Sequence, residues 1–134
     1  METIDFLQIN YLAVVAAGLA HMAVGLVWFQ RRLFGDAWVA LTHQTLEPAV
    51  KWLPVAAVGH LAIAFVLAIL IRFAGGPSLL AGLVIGLLVW GGFIVTTEIG
   101  ELVWEKIPFK LFLIRVGEHL VALCAAGAIL GLWR

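Results

Sequence analysis

Four long apolar segments, separated by shorter stretches rich in polar residues, dominate the hydrophobic pattern of this chain. They cover about residues 9–29, 53–74, 78–104 and 111–133. Each reaches the roughly 20 residues that a helix needs to cross the hydrocarbon core of a bilayer. The pattern therefore predicts an all-α fold, an integral membrane four-helix bundle that forms a single transmembrane domain over residues 1–134.

The stretches between the segments contain residues that end helices. Gly75, Gly76 and Pro77 interrupt the pattern after the second segment, and Ser78 is suited to cap the start of the third. A connection this short makes the second and third spans an antiparallel hairpin. Pro108 separates the third span from the fourth and suits the first position of a helix, where its missing N–H is not needed.

The longest connector, residues 30–52, is not uniformly polar. Trp38, Leu41, Thr45 and Leu46 recur at helical spacing within it. This spacing predicts a short helix that lies at the membrane interface after the first span.

The composition agrees with a membrane protein. Of the 134 residues, 64% are hydrophobic and 12% are charged, and the mean hydropathy is +1.13. The first partner is therefore the lipid bilayer. Eight basic residues spread thinly over a chain of zero net charge exclude a nucleic-acid partner, and the single cysteine, Cys124, excludes an intrachain disulfide.

The distribution of basic residues predicts an orientation. Six of them are near the two longer connectors, namely Arg31, Arg32, Lys51, Lys106, Lys110 and Arg115, whereas Arg72 and Arg134 are at the opposite end. Basic residues favour the cytoplasmic side, so we expect both termini outside the cytoplasm of a multi-pass protein in the cell inner (plasma) membrane. The N-terminal segment lacks the basic residues of a signal peptide, so the first span is expected to be retained.

Small residues recur at four-residue spacing in two spans. Gly82 and Gly86 form such a pair in the third span, and Gly127 and Gly131 form another in the fourth. Pairs of this kind allow helix backbones to approach closely. The sequence leaves open whether they join helices of one chain or of two chains, in a homo-oligomer or a larger membrane complex.

Four ionisable residues interrupt the apolar spans at nearly the same depth. His21, His60, His119 and Glu98 each lie about 9–12 Å from the expected cytoplasmic boundary, counting 1.5 Å per residue. Alanine or glycine lies one helical turn away from each histidine, which is typical of a helix contact face. We therefore predict that the three imidazoles converge inside the bundle.

Several uses for this polar layer stay open. The four side chains could bind a transition-metal ion, two of the histidines could ligate a haem iron, or the layer could relay protons along a transport path. Arg115 and Glu118 would then orient the imidazoles, and their spacing also allows a local ion pair. The alternative is that the histidines only hold helices together by hydrogen bonds.

Five stretches together resemble a known family. They are INYLAVVAAGLA (9–20), WFQRRLFGDAWVALT (28–42), GGFIVTTE (91–98), FKLFLIRVGEHLVAL (109–123) and GAILGLW (127–133). They resemble the bacterial membrane family called domain of unknown function 1761, and the resemblance implies a four-helix membrane protein without implying an activity.

The sequence supports two main hypotheses of function. No nucleophile–base set or phosphate-binding loop is recognisable, so the first is a non-catalytic bundle that self-associates or serves as an accessory subunit. The alternative is a haem- or metal-binding protein that uses the polar layer. Proton-coupled or small-molecule transport is a third hypothesis with less support, because the chain shows neither an internal repeat nor a broken helix of the transporter kind.

Overall fold

The computed structural model describes residues 5–133, and Glu2 and Arg134 lie outside this range. Its four longest helices are long and apolar enough to cross a membrane. They are span one (Tyr11–Trp28), span two (Val50–Phe73), span three (Leu79–Glu105) and span four (Phe109–Leu132). The prediction of an all-α fold with four spans is confirmed.

The helix ends follow the expected local chemistry. The Ser78 side chain accepts a hydrogen bond from the Ala81 N–H and caps span three, as predicted. Gly75 and Gly76 both adopt φ near +103°, a conformation that would strain any residue with a side chain. Pro108 is the cap that precedes span four, one position before the first helical residue where we expected it.

The connector after span one is helical, but over a shorter stretch than its pattern indicates. A π-helical turn, Arg31–Gly35, leads into the connector helix, Asp36–Thr42. His43 then takes a left-handed conformation with φ 58°, which ends the helix. Thr45 and Leu46, which are predicted on the helix, therefore lie in the non-helical segment beyond it.

The spans do not pack in their order along the chain. Span one lies between spans two and four, and span four also packs along span three. Spans two and three are joined by the hairpin but contact each other only slightly. Span four is consequently the central helix, with 44% of its most apolar stretch buried, against 11% for span three.

Antiparallel packing gives the bundle two distinct ends. The connector end carries both longer connectors, and the hairpin end carries residues 74–78 and the start of span one. An apolar core fills the hairpin half, and alanines allow spans one, two and four to meet there. Its buried residues are Ile9, Ala13, Val14, Ala17, Ala64, Leu67, Ala68, Ile71, Ala126 and Leu130. Outside this core, Arg72 donates hydrogen bonds to Gln8.

The two glycine pairs pack against each other within one chain. Gly82 and Gly127 bring spans three and four so close that a Cβ on either glycine would overlap the other's carbonyl group. Gly86 meets the span-four backbone near Leu123, and Gly131 meets the start of span three. The alternative left open by the sequence is thus decided, because these four glycines join two helices of the same chain.

Candidate functional site

The three span histidines lie together where the bundle changes from the apolar core to the connector half. The Nδ1 atoms of His21 and His60 are 2.9 Å apart, so one imidazole donates a hydrogen bond to the other. The ring centroids of His21 and His119 are 6.4 Å apart. His21 is only 1% exposed, so it is the innermost member of the cluster.

A glycine explains how the first two histidines meet. Gly18 lies one turn before His21 and faces the backbone of span two. A Cβ added to Gly18 would lie 2.9 Å from Leu61 Cδ2 and 3.3 Å from the His60 carbonyl oxygen. Because this position has no side chain, the two helices approach closely enough for the imidazoles to form a hydrogen bond.

The carboxylates do not join the imidazoles in the way the sequence suggested. Glu98 Oε2 lies 3.1 Å from Arg115 Nε, and Glu101 Oε2 lies 3.7 Å from Arg115 Nη1. Glu118 instead contacts His119, at 3.2 Å between Oε2 and Nδ1. The local pair of Arg115 with Glu118 that their spacing allows is absent from the ion pairs of residues 5–133, because span three presents two carboxylates to this arginine.

These positions bear on the metal and haem hypotheses. Within residues 5–133, no group of three or more His, Cys, Asp or Glu side chains is placed to hold a metal ion. Two axial nitrogens with an iron between them would be about 4 Å apart, twice a typical metal–nitrogen bond length. His21 and His60 are closer than that and in direct contact. His21 and His60 therefore form a hydrogen-bonded pair with no room for an iron between their Nδ1 atoms.

A cavity of about 480 Å³ lies between this polar cluster and the connector. His60, Arg115, Glu118 and His119 form its inner, polar end. Its lining also includes Gly25, Phe29, Trp38 and residues 45–48, namely Thr45, Leu46, Glu47 and Pro48. Because residues 45, 47 and 48 are exposed, the connector forms the mouth of the cavity.

An aromatic corner lines one side of the cavity. The rings of Phe29 and Trp38 meet edge to face with centroids 6.0 Å apart. Helical spacing predicts Trp38 on an interfacial helix and indicates no role for Phe29. Helical spacing alone could not show that the connector helix folds back over the end of span one.

Two other tryptophans hold span four in place beside the cavity. The Trp28 indole N–H donates to the Ile114 carbonyl at 3.1 Å, and the Trp90 indole N–H donates to the Val116 carbonyl at 2.7 Å. The bonds come from spans one and three and flank Arg115. Both indole N–H groups therefore bond to backbone carbonyls of span four and do not face the membrane interface.

The sequence model of one protein family, described as Protein of unknown function (DUF1761), matches residues 12–131. The chain belongs to this family. The part matched by DUF1761 contains every residue that lines the cavity, and it confirms the resemblance seen in the sequence. No curated protein and no solved structure shows significant similarity to the chain. Because the DUF1761 description assigns no activity, function has to be argued from the site.

Proposed function

We propose that this protein is a non-catalytic membrane protein that binds a small molecule in the connector-end cavity. The observation that carries the proposal is the cavity itself. Its volume of about 480 Å³ falls within the 300–1,000 Å³ of typical ligand sites, which combine apolar and aromatic walls with a few polar groups. Phe29 and Trp38 supply the aromatic wall here, and the side chains around Glu118 supply the polar groups.

One feature favours binding over conduction. The polar cluster ends at His21, beyond which the alanine-rich core fills the hairpin half. A ligand would therefore enter and leave at the connector end.

The test blocks the mouth of the cavity without changing the bundle. Three probes share a phenylalkyl body and differ in charge: 2-phenylethylammonium, 3-phenylpropan-1-ol and 3-phenylpropanoate. We expect at least one of them to bind the full chain in lipid nanodiscs, measured by isothermal titration calorimetry with empty nanodiscs subtracted. Thr45→Trp, at the exposed mouth, should weaken that binding about ten-fold or more, which is about 1.4 kcal/mol.

Gln44→Trp is the matched control, because Gln44 is exposed on the same connector and does not line the cavity. It should leave binding unchanged. The proposal fails if none of the three probes binds, or if both tryptophan variants bind as well as the wild type.

We also propose self-association through span three as a second candidate function. Gly92, Thr96 and Gly100 recur at four-residue spacing on this helix, and an added Cβ on either glycine would meet nothing within 4 Å. The same kind of face joins spans three and four inside the chain. Since span three is the least buried span, a second copy of the chain is the partner that fits this face.

Energy transfer between donor- and acceptor-labelled copies in liposomes tests this association. Gly92→Leu and Gly100→Leu should each lower the dimer population about five-fold, or about 1 kcal/mol. Gly59→Leu is the control, since Gly59 on span two also has open space around an added Cβ. A monomeric wild type, or equal transfer in all three variants, would reject the second candidate.

The orientation of the chain is part of the same proposal. We propose that the connector end faces the cytoplasm, in the plasma membrane of the cell. The support is the excess of basic residues at that end, six against two. With this orientation the mouth of the cavity opens to the cytoplasmic interface, so the ligand would come from inside the cell.

A further inference from the structure

Glu118 is a buried carboxyl group whose ion-pair partner within residues 5–133 is a histidine and not a lysine or arginine. It is 6% exposed and lines the cavity. Among the ion pairs of residues 5–133, its partner is His119, at 3.2 Å between Glu118 Oε2 and His119 Nδ1. Charged side chains inside a membrane protein usually pair with opposite charges. The cavity therefore contains a carboxyl group that no lysine or arginine of residues 5–133 pairs with.

The nearest arginine is already engaged elsewhere. Arg115 lies one turn before Glu118, but its guanidinium group contacts Glu98 and Glu101 of span three. When both glutamates are ionised, these three side chains together carry one excess negative charge. The positive charge of Arg115 is therefore already compensated by Glu98 and Glu101, and it does not neutralise Glu118.

The charges around the cavity are therefore unbalanced. Its lining includes two carboxyl groups, those of Glu47 and Glu118, and one guanidinium group, that of Arg115, beside the imidazoles of His60 and His119. Arg115 is paired with Glu98 and Glu101, which do not line the cavity, and not with either lining carboxyl group. Carboxylates in surroundings of low dielectric constant attract ions of the opposite sign, so these two groups favour a cation.

Space beside the carboxyl group is kept open by a glycine. Gly25 of span one faces Glu118, and a Cβ added there would lie 3.2 Å from Glu118 Oε1. Oε2 is occupied by the His119 contact, so Oε1 is the oxygen left to a ligand. The other wall is the aromatic corner of Phe29 and Trp38, and aromatic faces attract ammonium groups by cation–π interactions.

We infer that the ligand is a small organic cation, an ammonium group on an apolar body, which pairs with Glu118 and contacts Trp38. This inference rests on the proposed function, because it names the ligand class of the same cavity. A bare metal ion fits less well, since residues 5–133 contain no group of three ligands placed for one. An organic cation has one partner in the carboxyl group and another in the aromatic wall, and both line the same cavity.

The three phenylalkyl probes test the inference directly, because they differ mainly in charge. We expect 2-phenylethylammonium to bind the full chain in nanodiscs about ten-fold more tightly than the alcohol, and 3-phenylpropanoate to bind most weakly. Glu118→Gln, which keeps the shape of the side chain, should abolish the preference for the ammonium probe over the alcohol. Glu47→Gln, at the exposed mouth, is the matched control and should lower ammonium binding about three-fold or less.

Trp38→Leu provides a second test that does not alter the interior of the bundle. It should weaken ammonium binding by about two- to five-fold more than alcohol binding, as expected for loss of a partly exposed cation–π contact. The inference is overturned if the alcohol or the anion binds as tightly as the cation, or if Glu118→Gln keeps the cation preference. In either case the proposed binding function would still hold, provided that the probes bind the wild type and that Thr45→Trp blocks this binding.

Discussion

Arg115 forms the ion pairs that join span four to span three, with Glu98 and Glu101. Its side chain is 34% exposed, and that of its partner Glu98 is 11% exposed. Removing one member of a buried ion pair leaves the other without compensation, which costs about 3–5 kcal/mol in a fully buried site. Because Arg115 is partly exposed, we expect Arg115→Gln to lower the free energy of unfolding by about 1–3 kcal/mol.

Unfolding by sodium dodecyl sulfate in mixed micelles measures this change. The double variant Arg115→Gln/Glu98→Gln should recover at least part of the lost stability, because it no longer contains an unpaired carboxylate. Arg31→Gln is a suitable control. Arg31 and Asp36 are 79% and 67% exposed, with 3.8 Å between their charged atoms, so its loss should change stability by about 0.5 kcal/mol or less. Equal effects of Arg115→Gln and Arg31→Gln would contradict the role of Arg115.

Sequence reasoning located the histidines of the site but not their partners. The rise per residue of a helix and the small residues around His21 and His60 were sufficient to predict that these imidazoles meet inside the bundle. Both the depth of a residue and the face on which it lies follow from the regular geometry of a helix. The partners of Arg115 were not predictable in the same way. Its guanidinium group could reach Glu118 on its own helix or the carboxylates of span three, and only the packing of spans three and four decides between them.

At the scale of helices, the sequence predicted the spans well because each is long and its ends carry strong local signals. Ser78 and the two glycines before it determine the hairpin turn by local chemistry alone. The connector was less predictable, since a single residue, His43, ends its helix in a left-handed conformation. Asparagine, aspartate and histidine adopt this conformation more readily than most residues, but a sequence gives only that tendency.

Span three shows a further limit of helix-scale prediction. Its continuation beyond Thr97 was expected, because nothing between there and Trp104 breaks a helix. The structure adds π-helical turns at Trp90–Val95 and Glu101–Glu105. A π turn rotates the residues that follow it around the helix axis. Glu98 lies between the two turns, and Glu101 is the first residue of the second turn. Their contact with Arg115 thus depends on backbone geometry that a regular 3.6-residue pattern does not describe.

At the scale of the whole molecule, the neighbours of each span could not be read from the sequence. All four spans are apolar on every side, so hydrophobic pattern does not distinguish a face that meets lipid from one that meets another helix. In the structure, glycines determine which spans are neighbours. Gly82 and Gly127 place span three against span four, and Gly18 places span two against span one. The resulting order leaves the connector half open enough to contain the cavity.

The orientation of the whole molecule decides from which compartment the cavity is filled, and it can be measured directly. In a Cys124→Ser background, Ala74→Cys places a single thiol at the exposed hairpin end, and Gln44→Cys places one on the exposed connector. An impermeant maleimide should label Ala74→Cys in intact cells and Gln44→Cys only after permeabilisation, because six basic residues near the connectors favour the cytoplasmic side for that end. Labelling of Gln44→Cys in intact cells would contradict this orientation, whether or not Ala74→Cys is also labelled. The cavity would then open to the outside, and the proposed organic cation would have to come from the external medium.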